Sequence, residues 1–148
     1  MPEKDTLERA EKDKREGKAA STQAGEFIRE EIEHVREGKH GARSTKQVIA
    51  IGLSKARRAG VKLAPPKKGK ASKKTREQAA RDVKKGKSAG KGKKSARRSR
   101  ATSRALKREG RSAASKKALS RQARSAAAKR SAASRSRSAK KADPTRKK

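Results

Sequence analysis

STQAGEFIREEIEHVREGKHGARSTKQVIAIGLSKARRAGVKL, residues 21–63, reads as two amphipathic helices joined by a glycine-bounded turn. In its first half Ala24, Phe27, Ile28, Ile32 and Val35 recur at the 3.6-residue period of a helix. Ser21 or Thr22 can cap that helix, and Gly38 supplies the left-handed stop. The next helix starts at Ser44, whose Ser-x-x-Gln spacing to Gln47 is a capping box, and stops at Gly60. Val48, Ile49, Gly52, Leu53 and Ala56 make its apolar stripe, and Gly52, Ala56 and Ala59 are small enough to let another helix approach closely. The pattern predicts an αα-hairpin over residues 22–60 with a Gly38–Arg43 connection. Val61 and Leu63 are expected to fold back over its open end before Pro65-Pro66 forbids further helix.

Outside that block the supply of core residues thins. Ten of the fifteen strongly apolar side chains in the 148-residue chain lie between Phe27 and Leu63, so the core is expected there alone. Residues 1–20 read as a charged, weakly helical segment. A helix from Thr6 to Glu16, capped by Asp5 with Glu8 and stopped by Gly17, has Leu7 as its one strong apolar residue and should be frayed and solvated. Residues 21–64 are the hairpin module. Residues 65–94 read as a Lys/Gly/Pro-rich linker with a short helix at Thr75–Lys85, and residues 86–94 as its flexible, charged end. Residues 95–148 are Ser/Ala/Arg/Lys low complexity, expected to be largely disordered when free and helical mainly once phosphates neutralise the cations. The expected fold class is therefore all-α, a small hairpin followed by a long, basic, conditionally helical tail.

Charge is segregated by position. Residues 1–40 hold nine Lys/Arg against eleven Asp/Glu, a net of −2. Residues 41–148 hold 39 Lys/Arg against only Glu77, Asp82, Glu109 and Asp143, a net of +35. Such a surplus repels itself and attracts polyanions. With no cysteine, disulfides and thiolate metal sites are excluded. The N-terminus carries no apolar run of a secretory signal and no stretch approaches a membrane span, so a cytoplasmic, nucleoid-associated setting without membrane insertion is expected.

One phrase recurs: KREGKAAS at 14–21, VREGKHGARS at 35–44 and KREGRSAAS at 107–115. Each reads as a helix end, a glycine stop, a basic link and a Ser cap, a reused joint between helices.

The block Ser21–Leu63, followed by a Pro/Lys stretch and SRALKREGRSAASKKALSRQARSAA at 103–127, resembles a family of small, highly basic bacterial proteins with no established function, some labelled plasmid stabilisation protein. The resemblance covers most of the chain and implies a bacterial cytoplasmic or nucleoid setting. It brings no catalytic residue with it. In composition the tail resembles the Lys/Ala/Ser-rich tails of histone-H1-like proteins.

The chemistry these residues favour is phosphate binding. Arg43, Lys46, Arg57, Arg58 and Lys62 are expected to flank or face outward from the hairpin, with Arg57 and Arg58 equally suited to complementing a helix C-terminus. Lys67, Lys68, Lys70, Lys73, Lys74, Lys84, Lys85, Lys91, Lys93, Lys94, Arg97, Arg98 and Arg100 follow as exposed clusters. Phe27 is the only aromatic residue and belongs to the apolar stripe, so bases have nothing to stack on. The connection is longer than that of a DNA-reading helix-turn-helix, so contacts should go to backbone phosphates rather than base edges. The Gly38–Gly41 turn reads as a plain connection, since no Walker A loop occurs. His34 and His40, without cysteines or a third ligand, read as surface histidines, and no metal or cofactor is expected. Glu30, Glu31 and Glu33 read as a solvated face, except that Glu31 falls within the apolar stripe. It should pair with Lys55 across the hairpin or across a dimer. The five Ser-Arg dipeptides read as products of composition.

These readings make the chain a non-enzymatic, sequence-independent nucleic-acid binder without a small-molecule substrate. DNA is favoured over RNA, and the hairpin offers a homodimer contact. The near-neutral first forty residues would stay off the nucleic acid. An RNA- or ribosome-associated role uses the same cations. A protein-interaction adaptor with a merely solubilising tail is the third reading.

Overall fold

Gly52 sets how near the two central helices come. In the computed structural model, which describes residues 1–88 and 93–146, these are α2 (Ala20–Arg36) and α3 (Thr45–Arg58). A Cβ at Gly52 would lie 2.7 Å from the Ile28 Cα, so only glycine admits this crossing. The capping box forms as the sequence predicts: Ser44 Oγ accepts from the Gln47 N–H (3.2 Å) while Gln47 Oε1 accepts from the Arg43 N–H (2.7 Å). Gly38 (φ 77°) and Gly60 (φ 96°) close the two helices from the left-handed region, where a side chain would be strained. The α2 N-terminus differs from expectation. Ala19 precedes it and no side chain caps it.

The charged N-terminal segment is a docked helix rather than a frayed one. α1 (Lys4–Arg15) packs on α2 through Thr6, Ala10 and Asp13, while Leu7, its one strong apolar residue, stays exposed. Its N-cap comes from the neighbouring helix instead of from Asp5, because Glu30 Oε2 accepts the Glu3 N–H at 3.0 Å. Arg9 Nε reaches Glu26 Oε2 at 2.6 Å. The core consequently has two lobes. Phe27, Ala24 and Ala56 meet Ala10 of α1 in one, flanked by Leu53, Val61 and Leu63. Val35, Val48 and Ala42 meet Ala113 and Ala114 in the other. Alanines outside residues 27–63 therefore complete a core that was expected within that segment alone.

The expected long, disordered tail is overturned. α4 (Lys73–Lys87), α5 (Ala96–Arg108), a 3-10 turn (Ser112–Ala114), α6 (Lys116–Ala128) and α7 (Ala132–Arg146) follow the hairpin, so the all-α class stands and the tail is helical. α4 packs on α3, tied by Asp82, a buried carboxylate that accepts from Ser54 Oγ (2.8 Å), Arg58 Nε (2.8 Å) and Gln78 Nε2 (3.2 Å). Ser72, Ser95 and Ser115 cap α4, α5 and α6. Ala, Arg and Lys are among the best helix formers. Cations on adjacent turns, about 5–6 Å apart, repel by under ~1 kcal/mol in water and less in salt. Propensity and capping thus win over self-repulsion. Of the expected linker end, residues 89–92 lie outside the described residues.

The recurring phrase is itself a tertiary contact. Its second and third copies dock on each other: Gly41 N–H donates to the Leu106 carbonyl (2.9 Å) and Ala42 N–H to the Gly110 carbonyl (3.0 Å). A Cβ at Gly41 would fall on the Glu109 carbonyl. Arg36 Nε donates to the Ala114 carbonyl (2.9 Å) and Thr45 Oγ1 to the Ala113 carbonyl (2.7 Å). Among the described residues no helix is long and apolar enough to cross a membrane.

Candidate nucleic-acid interface

Docking the two joints brings the N-termini of α3 and α6 to one open cleft of about 700 Å³. Arg43, Lys46, Lys117 and Arg121 line it, together with the capping serines Ser44 and Ser115. Both helix starts carry the partial positive charge of unsatisfied N–H groups, so cation and dipole add rather than cancel. An acid offsets only one of the four cations. Glu109 lies 3.6 Å from Arg43, Asp82 is taken by Arg58, and Glu77 pairs with Lys73 at 4.0 Å. Lys46, Lys117 and Arg121 have no carboxylate partner among the described residues. Along α6 the cationic face continues from Lys117 and Arg121 to Arg124.

The same inversion recurs at other helix starts. α3, α4, α5 and α6 each have Lys or Arg and no Asp or Glu in the first turn. The sequence-predicted residues Lys46, Lys73, Lys74, Arg97 and Arg98 occupy these turns. Stability alone favours acids there, by typically 0.3–1 kcal/mol each.

Arg57 leaves the predicted set of outward-facing cations, whereas Arg58 stays exposed but is engaged by Asp82. Arg57 is buried, its Nε and Nη2 donating to the carbonyls of Leu63 (3.2 Å) and Ala64 (3.4 Å), and burial lowers its guanidinium from the ordinary value. It fastens the segment after α3. Arg58 is held by Asp82. Lys62, Lys67, Lys68, Lys70, Lys84, Lys85, Lys93, Lys94 and Arg100 lie outside the cleft, and Lys91 lies outside the described residues. Sequence reasoning missed Lys117 and Arg121. The signal was present: the third copy of the joint ends at Ser115 and is followed by Lys116-Lys117, as Ser44 is followed by Thr45-Lys46.

Inside the hairpin lies a buried ionic cluster where a solvated face was expected. Glu30 and Glu31 are fully buried, whereas Glu33 is not. Lys55 Nζ contacts Glu31 Oε1 and lies 3.2 Å from Glu30 Oε1, so the expected Glu31–Lys55 pair forms within one chain. Burial alone would lower the Lys55 ammonium, but the two carboxylates outweigh it and raise it. Burial likewise works to raise Glu30; the Glu3 N–H, Thr6 and Lys55 together hold it below the ordinary value. His34 and His40 are not surface residues, with side chains 12% and 16% exposed, and both turn toward Glu31.

An all-α chain in which the starts of α3, α4, α5 and α6 are cationic and the hairpin encloses buried carboxylates is the class that fold and cleft define. Within it, residues 14–68 match a family of unknown function (DUF6496), a stretch from the end of α1 through the segment after α3. Lys117 and Arg121 fall outside that match. No curated protein and no solved structure matches the chain.

Proposed function

We propose that the protein binds nucleic acid, duplex DNA foremost, through backbone phosphates and without reading sequence, as a nucleoid-associated protein rather than an enzyme. The observation that carries this reading is the placement of Lys or Arg, never Asp or Glu, in the first turns of α3, α4, α5 and α6. Each is a poor arrangement for an isolated helix and a good one for an arriving phosphate. The cleft between α3 and α6 adds four cations to two such turns, and exposed lysines extend the footprint.

The test exploits that conflict. In the double variant Lys46→Glu/Lys117→Glu the free protein should gain about 0.3–1 kcal/mol per site, since each acid complements a helix dipole. DNA affinity should fall in the same variant. For the native chain the log–log salt slope is expected at about −5 or steeper, and it should become shallower by about 0.9 for each phosphate that the variant no longer neutralises. Unchanged affinity in the variant overturns the cleft's role. A chain that ignores duplex DNA, duplex RNA and single strands at near-physiological salt overturns the reading entirely. Preference for RNA at equal salt replaces DNA by RNA as the partner.

A further inference from the structure

We propose that Glu31, His34 and His40 bind one divalent transition-metal ion of the zinc type, fastening the Gly38–Arg43 connection to α2. One ligand atom from each of the three residues lies within 4.8 Å of the others, on two turns of α2 and the connection after it. The partners of the outer ring nitrogens fix which inner nitrogens remain. His40 Nδ1 lies 2.9 Å from the Gly41 carbonyl oxygen, which only accepts, so Nδ1 carries the proton and Nε2 faces Glu31 Oε2 at 3.0 Å. His34 Nε2 lies 2.9 Å from Glu3 Oε1, which also accepts from Lys39, so this nitrogen too is the donor. That leaves Nδ1 facing Glu31 Oε1 at 3.6 Å.

In the tautomers those outer contacts favour, His34 Nδ1 and His40 Nε2 both turn toward the buried Glu31 carboxylate. An ion placed among the three groups would meet one donor atom from each. Glu31 Oε1 has the Lys55 ammonium beside it but no hydrogen-bond donor aligned on it. Lys55 also contacts Glu30, so it keeps a partner when Glu31 turns to a metal. The four carboxylates Glu3, Glu30, Glu31 and Glu37 share two ammonium groups, Lys39 and Lys55, so acids outnumber bases around the three groups. Two imidazoles and a carboxylate are a zinc donor set with a fourth position for water. The outer shell is also in place: a carboxylate and a backbone carbonyl hold the N–H groups of the two rings, the usual way a metal-binding histidine is oriented. The ion would order the link that carries Arg43 and Ser44 into the cleft.

Full-length protein stripped with a chelator and titrated with Zn²⁺ against a chromophoric competitor is expected to take up one equivalent saturably and to melt at a higher temperature. His40→Ala should weaken that uptake by at least about 100-fold, and Glu3→Ala, which removes the acceptor orienting His34, by about 10-fold. Far-UV circular dichroism checks that each variant is folded; should His40→Ala unfold, His40→Gln keeps the volume and carries the test. Absence of a saturable equivalent, or equal uptake by a folded His34→Ala/His40→Ala double variant, overturns the site. The assay contains no nucleic acid, so its outcome is separate from that of DNA binding.

Discussion

Two glycines of the central hairpin make opposite predictions from the same substitution. At Gly52 a Cβ would press on Ile28 Cα and N, at 2.7 and 2.9 Å, and backbone atoms cannot step aside without moving α2. Gly52→Ala is expected to cost about 1–3 kcal/mol despite alanine's better helix propensity. At Gly25, inside α2, nothing lies within 4 Å of the added atom, so Gly25→Ala should stabilise by about 0.4–1 kcal/mol. Urea unfolding of the two variants measures both signs. Glu31 and Lys55 are argued the same way. The carboxylate is fully buried and the ammonium partly so, and a double-mutant cycle with Glu31→Gln and Lys55→Met should return a coupling of about 0.5–3 kcal/mol. No coupling would mean that Lys55 serves Glu30 alone.

α4 is attached to the hairpin by one polar anchor more than by an apolar face. α4 buries Ala79 and Asp82, and it is the carboxylate that gathers Ser54, Arg58 and Gln78. Asp82→Ala strands those donors, at about 1–3 kcal/mol. The loss should appear first as faster amide exchange in α4, with α2 and α3 still protected; uniform loss across the chain would show α4 to be part of the core's own cooperative unit. The three joints do not behave alike. Gly17 and Gly38 use the left-handed stop that the repeated phrase predicts, whereas Gly110 does not. Its carbonyl instead accepts the Ala42 N–H, so the third copy is spent on docking against the second.

For the complete chain the consequence is that α4, the 3-10 turn and α6 belong to the fold. Far-UV circular dichroism of the free protein should show helix well beyond what α2 and α3 supply, without nucleic acid present. Cutting after residue 66 removes α4 and strips Ala113 and Ala114 from Val35 and Val48. The remaining hairpin is expected to melt at a lower temperature, at about 4–8 °C per kcal/mol of stability removed. Equal melting of the two forms would mean that the hairpin stands alone. Counting only large apolar side chains hid this dependence, because the pieces supplied from outside residues 27–63 are alanines.

Local rules made much of the protein legible. Periodicity placed α2 and α3, Gly38 and Gly60 marked their ends, Ser44 and Gln47 formed the cap, and Gly52 announced a close crossing, since each depends only on residues a few positions apart. The excess of Lys and Arg needed no more than counting, and the Glu31–Lys55 pair followed from the two helical stripes. Only the tertiary structure decided that α1 docks, that Arg57 turns inward, that Lys117 and Arg121 join Arg43 and Lys46, and that two histidines meet one carboxylate. Those outcomes rest on how separate elements pack and where their side chains then turn, and the sequence pattern carries no distance between such groups until the chain has folded.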